Sequence, residues 1–209
     1  MSVLNRIAYF QNRRDEVPNQ ELARKLAGTK NKQGIQEIAE NLYHKNQNVQ
    51  SDCLKVLYEI GYLAPELIAD YVDDFLKLLK CKNNRMVWGG MIALATVADL
   101  KPREIWKSVD DVIAVTARGT VITLVWGIKT LAKVAAANKR YKDKLWSILM
   151  GHLKTCLPRD VPTHAESILC AVDDRHKDEF LSVLESRRAE MTPSQLARLR
   201  KITKQLGAR

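Results

Sequence analysis

The sequence predicts an all-α fold of stacked helix pairs. Three observations carry this: a self-similar offset of about 37 residues, helical spacing of the apolar residues, and proline or asparagine at helix starts. Leu54, Leu57 and Ile60 superpose on Met91, Leu94 and Val97, and these on Ile128, Leu131 and Val134. The same offset carries Cys53 onto Gly90 and Gly127, and Gly61 onto Ala98 and Ala135. It also carries Ile35, Ile38 and Leu42 onto Val72, Phe75 and Leu79, and three repeats on reaches Trp146, Leu149 and Leu153. Self-similarity at a fixed period marks stacked supersecondary units rather than one unrepeated core.

The first helix of a unit is clearest over residues 64–79, where apolar residues at 68, 72, 75, 76 and 79 follow the spacing of one buried helix face. Pro65 and its counterpart Pro102 sit in the first turn, where a missing N–H costs nothing. The second helix runs over residues 84–100 behind the capping candidates Asn83 and Asn84. No alternating strand pattern interrupts this rhythm. The predicted pairs are 32–46 with 48–63, 64–81 with 84–100, 102–117 with 119–137, 139–156 with 161–173, and 175–190 with 193–207.

Ahead of them, residues 2–14 read as an amphipathic helix with Leu4, Ile7, Ala8 and Phe10 inward, and a shorter helix follows Pro18, carries Leu22 and Leu26, and stops at Gly28. These two and the last pair fit the repeat poorly, as terminal capping units do. The expected organisation is one domain over 1–209, with cap helices in 1–29, core repeats in 30–173 and a capping pair in 174–209. Gly90 and Gly127 fall inside helices, where glycine costs about 1 kcal/mol relative to alanine. Their recurrence at one repeat position predicts close helix crossing rather than a ligand site.

The paired helices, Pro65 and Pro102, and the echo of Val72-Asp73-Asp74-Phe75 in Val109-Asp110-Asp111-Val112 resemble the HEAT/armadillo-like superfamily over about residues 30–207. Within that class the chain is similar to small bacterial or archaeal HEAT-like proteins. The resemblance implies a curved, right-handed α-α superhelix of about five helix pairs whose second helices line a concave face. It also implies a binding protein, since members mostly bind proteins and some bind nucleic acid.

Composition narrows the function classes. The longest apolar run, 120–137, is interrupted by Lys129 and Lys133, and Arg6, Arg13 and Arg14 break any leader-like stretch. No membrane span and a cytoplasmic location are therefore expected. The four cysteines, Cys53, Cys81, Cys156 and Cys170, lack paired spacing and read as buried free thiols, Cys53 and Cys170 lying within helices on or near apolar faces. His152, Cys156 and His164 could be grouped as zinc ligands but lack a recognisable four-ligand spacing, so no metal is expected. Nor does Gly28-Thr29-Lys30 have the glycine spacing of a phosphate-binding loop.

The net charge of +10 is uneven. Residues 48–137 are nearly balanced, and the surplus lies in Lys139, Arg140, Lys142, Lys144 and Lys154, then in Arg187, Arg188, Arg198, Arg200, Lys201, Lys204 and Arg209. Clustered cations predict weak, salt-dependent, non-specific nucleic-acid binding at most, since no base-reading motif accompanies them.

The repeat register assigns the second-helix surface. Its rows are Asp52, Lys55 and Glu59; Gly89, Ile92 and Thr96; Trp126, Lys129 and Lys133; and Thr163, Glu166 and Cys170. Trp126 beside two lysines, with Trp88 and Arg85 bordering the same groove, forms the candidate binding site. Trp146 occupies a core position, Trp106 reads as packing, and the paired aspartates 73, 74, 110 and 111 read as solvated. The expected function is a non-catalytic scaffold without cofactor that holds a protein or peptide. The alternative is a nucleic-acid-binding solenoid related to HEAT-like DNA glycosylases, for which Trp88 and Trp126 would supply aromatics and Asp52 the only placeable acid.

Overall fold

The computed structural model describes residues 2–207. Among them there are helices, turns and connecting loops and no strand. The α-helices are α1 (Val17–Thr29), α2 (Lys32–Glu40), α3 (Gln47–Leu63), α4 (Val72–Leu78), α5 (Asn84–Val97), α6 (Pro102–Lys107), α7 (Val109–Arg118), α8 (Val121–Ala137), α9 (Lys139–Thr155), α10 (Val161–Ile168), α11 (Lys177–Ser186) and α12 (Pro193–Gly207). They fall into two compact units, Met1–Gly127 and Ile128–Arg209.

In the first unit, α2 packs on α3 and α4 on α5, as paired helices, while α1, α3 and α5 lie side by side as a layer of second helices. Helix α1 thus takes the second-helix place of an incomplete leading pair. The apolar register is buried throughout: Leu54, Leu57, Ile60, Met91, Leu94 and Val97 on the second helices, and Ile35, Ile38, Leu42, Val72, Phe75 and Leu79 on the first. Capping follows the sequence. Asn31, Asn46 and Asn83 each accept a backbone N–H from the first turn of their helix. The predicted unbroken first helices are in fact segmented. Two 3-10 turns, Pro65–Leu67 and Ala69–Tyr71, precede α4, and Ser108 divides α6 from α7. Tyr71 and Ser108, one repeat apart, both have ψ near zero (13° and 22°), so the break is itself a feature of the repeat.

Small residues set how closely helices approach. A Cβ on Gly90 would lie 3.0 Å from Leu78 Cβ and 3.2 Å from the Phe75 carbonyl. One on Gly127 would lie 2.1 Å from the Thr116 hydroxyl, and one on Gly61 would lie 2.2 Å from the Thr96 hydroxyl on the neighbouring second helix. The atoms that must give way are on β-branched threonines, on the backbone, or, at Gly90, a leucine Cβ fixed to it, none of which can swing aside.

The N-terminal segment departs from expectation. Residues 2–14 form only a 3-10 turn, Leu4–Arg6, and then turns; Ile7 and Ala8 are buried, but Phe10 points outward and is exposed. The reason lies in the backbone N–H groups. Val3 and Leu4 donate to Glu37, Ala8 to Asn19 Oδ1 and Tyr9 to Asp52, so distant side chains take the place of helical carbonyls. Asn12 then adopts a left-handed φ of 51°, which asparagine tolerates and a helix does not. The next helix begins at Val17 and runs past Gly28 to Thr29, because Lys30, at φ 49°, supplies the left-handed C-cap.

In the second unit, α9 packs on α10 and α11, and α12 on α10 and α11. Trp146 is buried and its indole N–H donates to Glu179 at 2.6 Å. The buried Arg187 guanidinium donates to the carbonyls of Leu153, Lys154 and Cys156, so α11 supplies the C-cap of α9. Glu190 holds that guanidinium from the other side at 3.0 Å. Between α9 and α10 the His152 and His164 rings meet edge to face, 4.5 Å between centroids, and His152 Nε2 and both nitrogens of His164 are buried without a hydrogen-bond partner among the described residues. Burial, with His152 adding to it and Asp160 opposing, pushes the His164 pKa down to about 4. Among the described residues no helix is long and apolar enough to cross a membrane.

Two outcomes follow from this packing. Gly90→Leu is expected to cost about 1–3 kcal/mol or more through overpacking, read as a lower urea midpoint; unchanged melting would mean that α4 and α5 do not cross here. The neutral histidine pair makes stability fall as pH drops, because the unfolded chain takes up protons near pH 6.5 and the folded chain only near 4. The loss should reach up to about 3 kcal/mol across that window and flatten in His164→Phe; identical pH profiles would contradict it.

Candidate aromatic recognition surface

Helix α3 carries Tyr58 and Tyr62 one turn apart, with ring centroids at 5.9 Å. Tyr58 meets Trp88 of α5 at 6.3 Å, and Tyr62 meets Trp126 of α8 at 5.7 Å. The result is a run of four rings, Trp88–Tyr58–Tyr62–Trp126, carried by α3, α5 and the part of α8 that belongs to the first unit. Tyr58 is buried and holds the run down; Trp88 and Trp126 are half-buried, and Tyr62 is 45% exposed. Burial raises the Tyr58 pKa, so that ring stays neutral at ordinary pH.

A charged cluster borders the rings. Lys55 is only 8% exposed and pairs with Glu16 at 2.8 Å and Glu59 at 2.7 Å, its ammonium 4.9 Å from the Tyr58 ring centre. Burial disfavours this charge, yet the two carboxylates outweigh it and hold the Lys55 pKa above its ordinary value. Glu16 also lies 3.9 Å from Arg85, so one carboxylate just before α1 links α3 and α5. Beside it, Tyr9, Asn12, Arg14, Asp52 and Arg85 help line a polar cavity of about 390 Å³.

Of the residues expected at the site, Arg85, Trp88 and Trp126 belong to the first unit. Lys129 and Lys133 belong to the second, where both are half-buried and engaged with neighbouring groups. Asp52 is committed to structure, accepting from the Tyr9 N–H at 2.7 Å and the Asn19 amide at 2.9 Å. Sequence reasoning missed Tyr58, Tyr62 and Glu16. The offset that finds the core passes over the tyrosines, because their counterparts are Ala95 and Asp99. The available signal was local: two tyrosines four apart on a helix that also carries Lys55.

Other expectations resolve one by one. Cys53 is buried, and burial pushes its thiol up to about 12; Cys156 is half-buried and Cys81 exposed, and Cys170 is likewise exposed rather than buried. It lies in the 3-10 turn Leu169–Ala171, whose tighter winding turns it away from the apolar face. Asp73, Asp110 and Asp111 are exposed, while Asp74 is half-buried and accepts from Tyr43 at 2.7 Å. Among the described residues no three His, Cys, Asp or Glu side chains are grouped to hold a metal.

No family model matches the sequence, and no curated protein matches it. Solved structures do. An engineered protein is similar with a TM-score of 0.66 at 15% identity, over 100% of this chain and 98% of that one. A designed armadillo repeat protein in complex with the peptide (KR)4 gives 0.65 at 14%, over 97% and 99%. A computationally designed armadillo repeat protein for modular peptide recognition gives 0.62 at 14%, over 91% and 94%. The chain has the armadillo-type α-solenoid fold. At these identities the likeness concerns the fold alone.

The charged cluster is testable as a scaffold for the rings. Lys55→Met leaves Glu16 and Glu59 without their shared cation and should cost about 1–3 kcal/mol, read by chemical denaturation. A variant as stable as the parent would show that the cluster is not needed to hold α1 and Tyr58 in place.

Proposed function

We propose that the chain is a non-catalytic scaffold that holds a protein or peptide segment against the first unit's aromatic surface. The run Trp88–Tyr58–Tyr62–Trp126 carries this reading. Partly exposed tryptophan and tyrosine give large contact area with few rotatable bonds, and such residues dominate binding energy at interfaces. The designed armadillo neighbours, one in complex with (KR)4 and one built for modular peptide recognition, support the same use of the fold.

The charge pattern favours a peptide over nucleic acid. Much of the basic surplus is engaged locally: Lys142 with Asp173 at 2.6 Å, Arg198 with Glu166 at 2.6 Å, Arg188 with Glu185 at 3.1 Å, and Arg187 with helix-end carbonyls. Asp52, the acid a glycosylase-like reading needs, is spent on the N-terminal segment.

Selection from a random displayed peptide library should yield binders. Tyr62→Ala and Trp126→Ala should each weaken them by about fivefold or more, about 1 kcal/mol, with helical content unchanged. Selected peptides that bind both variants like the parent would overturn the reading. So would failure to select any peptide alongside submicromolar duplex DNA binding at physiological salt.

A further inference from the structure

The second unit offers a different surface. A groove of about 660 Å³ runs between α11 and α12. Its floor is Leu184 and Leu199, both buried, and its walls are the half-buried Leu181 and Leu196. On α11 the core is set by Phe180, Val183 and Leu184, and on α12 by Leu199, Ile202 and Leu206. Leu181 and Leu196 stand off those core stripes, so each helix has an apolar face wider than its packing against α9 or α10 uses.

The rim is basic. Among the described residues, Arg188, Arg200 and Lys204 line it with a single carboxylate, Glu185, which already pairs with Arg188 at 3.1 Å. Arg200 and Lys204, four apart on α12 and therefore on one face, have no partner among the described residues. The groove is also held open in advance. Arg198 grips Glu166 and Thr163 of α10, and Lys177 donates to the Leu206 carbonyl at 2.7 Å, so α12 is tied near both ends. Preorganisation of this kind lowers the cost of binding.

We propose that this groove docks an amphipathic helix of a partner protein, its leucine-like residues on the groove floor and its carboxylates against Arg200 and Lys204. From Leu196 to Lys204 the wall is about 12 Å long, two turns of a bound helix at 1.5 Å per residue. Two neighbouring helix surfaces with an apolar floor between them can seat a third helix by ridges into grooves. A second copy of the chain fits poorly, since it would set the same cations against each other.

The probe is a fluorescein-labelled synthetic helix of about five turns, with leucines at i, i+3, i+4 and i+7 and glutamates flanking them; its control carries lysine for each glutamate. Anisotropy should show saturable binding of the acidic peptide with Kd below about 100 µM, and none of the control. Arg200→Glu with Lys204→Glu should weaken it at least tenfold, and Leu196→Asp likewise; both sites are exposed or half-exposed, and circular dichroism confirms that the fold persists. The proposal is overturned if the acidic peptide fails to bind or binds these variants unchanged. Preference for phosphatidylserine vesicles over the peptide, or self-association abolished by Leu196→Asp, overturns it equally.

Discussion

How closely the helices cross decides most of what this molecule can present. Where Gly61, Gly90 and Gly127 stand, a Cβ would come within 2.1 to 3.0 Å of the facing side chain. Interhelical distance depends on the side chains at the contact: Gly90 and Gly127, at one repeat position, let their helices close on α4 and α7, while Gly61, at a different position, lets α3 close on α5. The gain in close packing offsets about 1 kcal/mol of helix propensity at each glycine. The close approach at Gly61 brings α3 and α5 near enough for aromatic side chains to meet. Tyr62, next in sequence to Gly61, reaches Trp126 at 5.7 Å, and Tyr58, one turn earlier, reaches Trp88 at 6.3 Å.

Electrostatics then fix what packing alone leaves loose. Lys55 sits under the ring run with two carboxylates around it, and Glu16 reaches both Lys55 and Arg85. A buried ammonium without partners would be costly, so the cluster acts as a unit, and it ties the start of α1 to the surface that carries the rings. In the second unit Arg187 plays a comparable part, closing the carbonyl end of α9 from a different helix. In both cases one charged side chain joins elements that are distant in sequence.

These long-range ties mark where sequence reading succeeds and where it stops. The core was legible because the same residue sizes recur at a constant offset: Leu57, Leu94 and Leu131 are all buried. Helix starts were legible because asparagine caps act within three residues. Residues 2–14 were not, since backbone N–H groups there are satisfied by Glu37, Asn19 and Asp52, and no local pattern announces a partner tens of residues away. Of the candidate surface, Trp88, Trp126 and Arg85 were found by register, whereas Tyr58 and Tyr62 were hidden because a binding surface need not repeat as a core must. Lys129 and Lys133 were grouped with Trp126 by the spacing of the continuous helix α8, within which the two compact units divide after Gly127.

The central claim is that recognition uses the exposed edge of the ring run and not the first-helix side of the unit. Site-specific photo-crosslinking tests it most directly, with a benzophenone side chain placed at Tyr62 and, in a parallel preparation, at the exposed Asp73 of α4. The account predicts that a selected peptide crosslinks efficiently at position 62, is competed by unlabelled peptide, and gives background only at position 73. Equal yields at both positions, or capture at 73 alone, would contradict it.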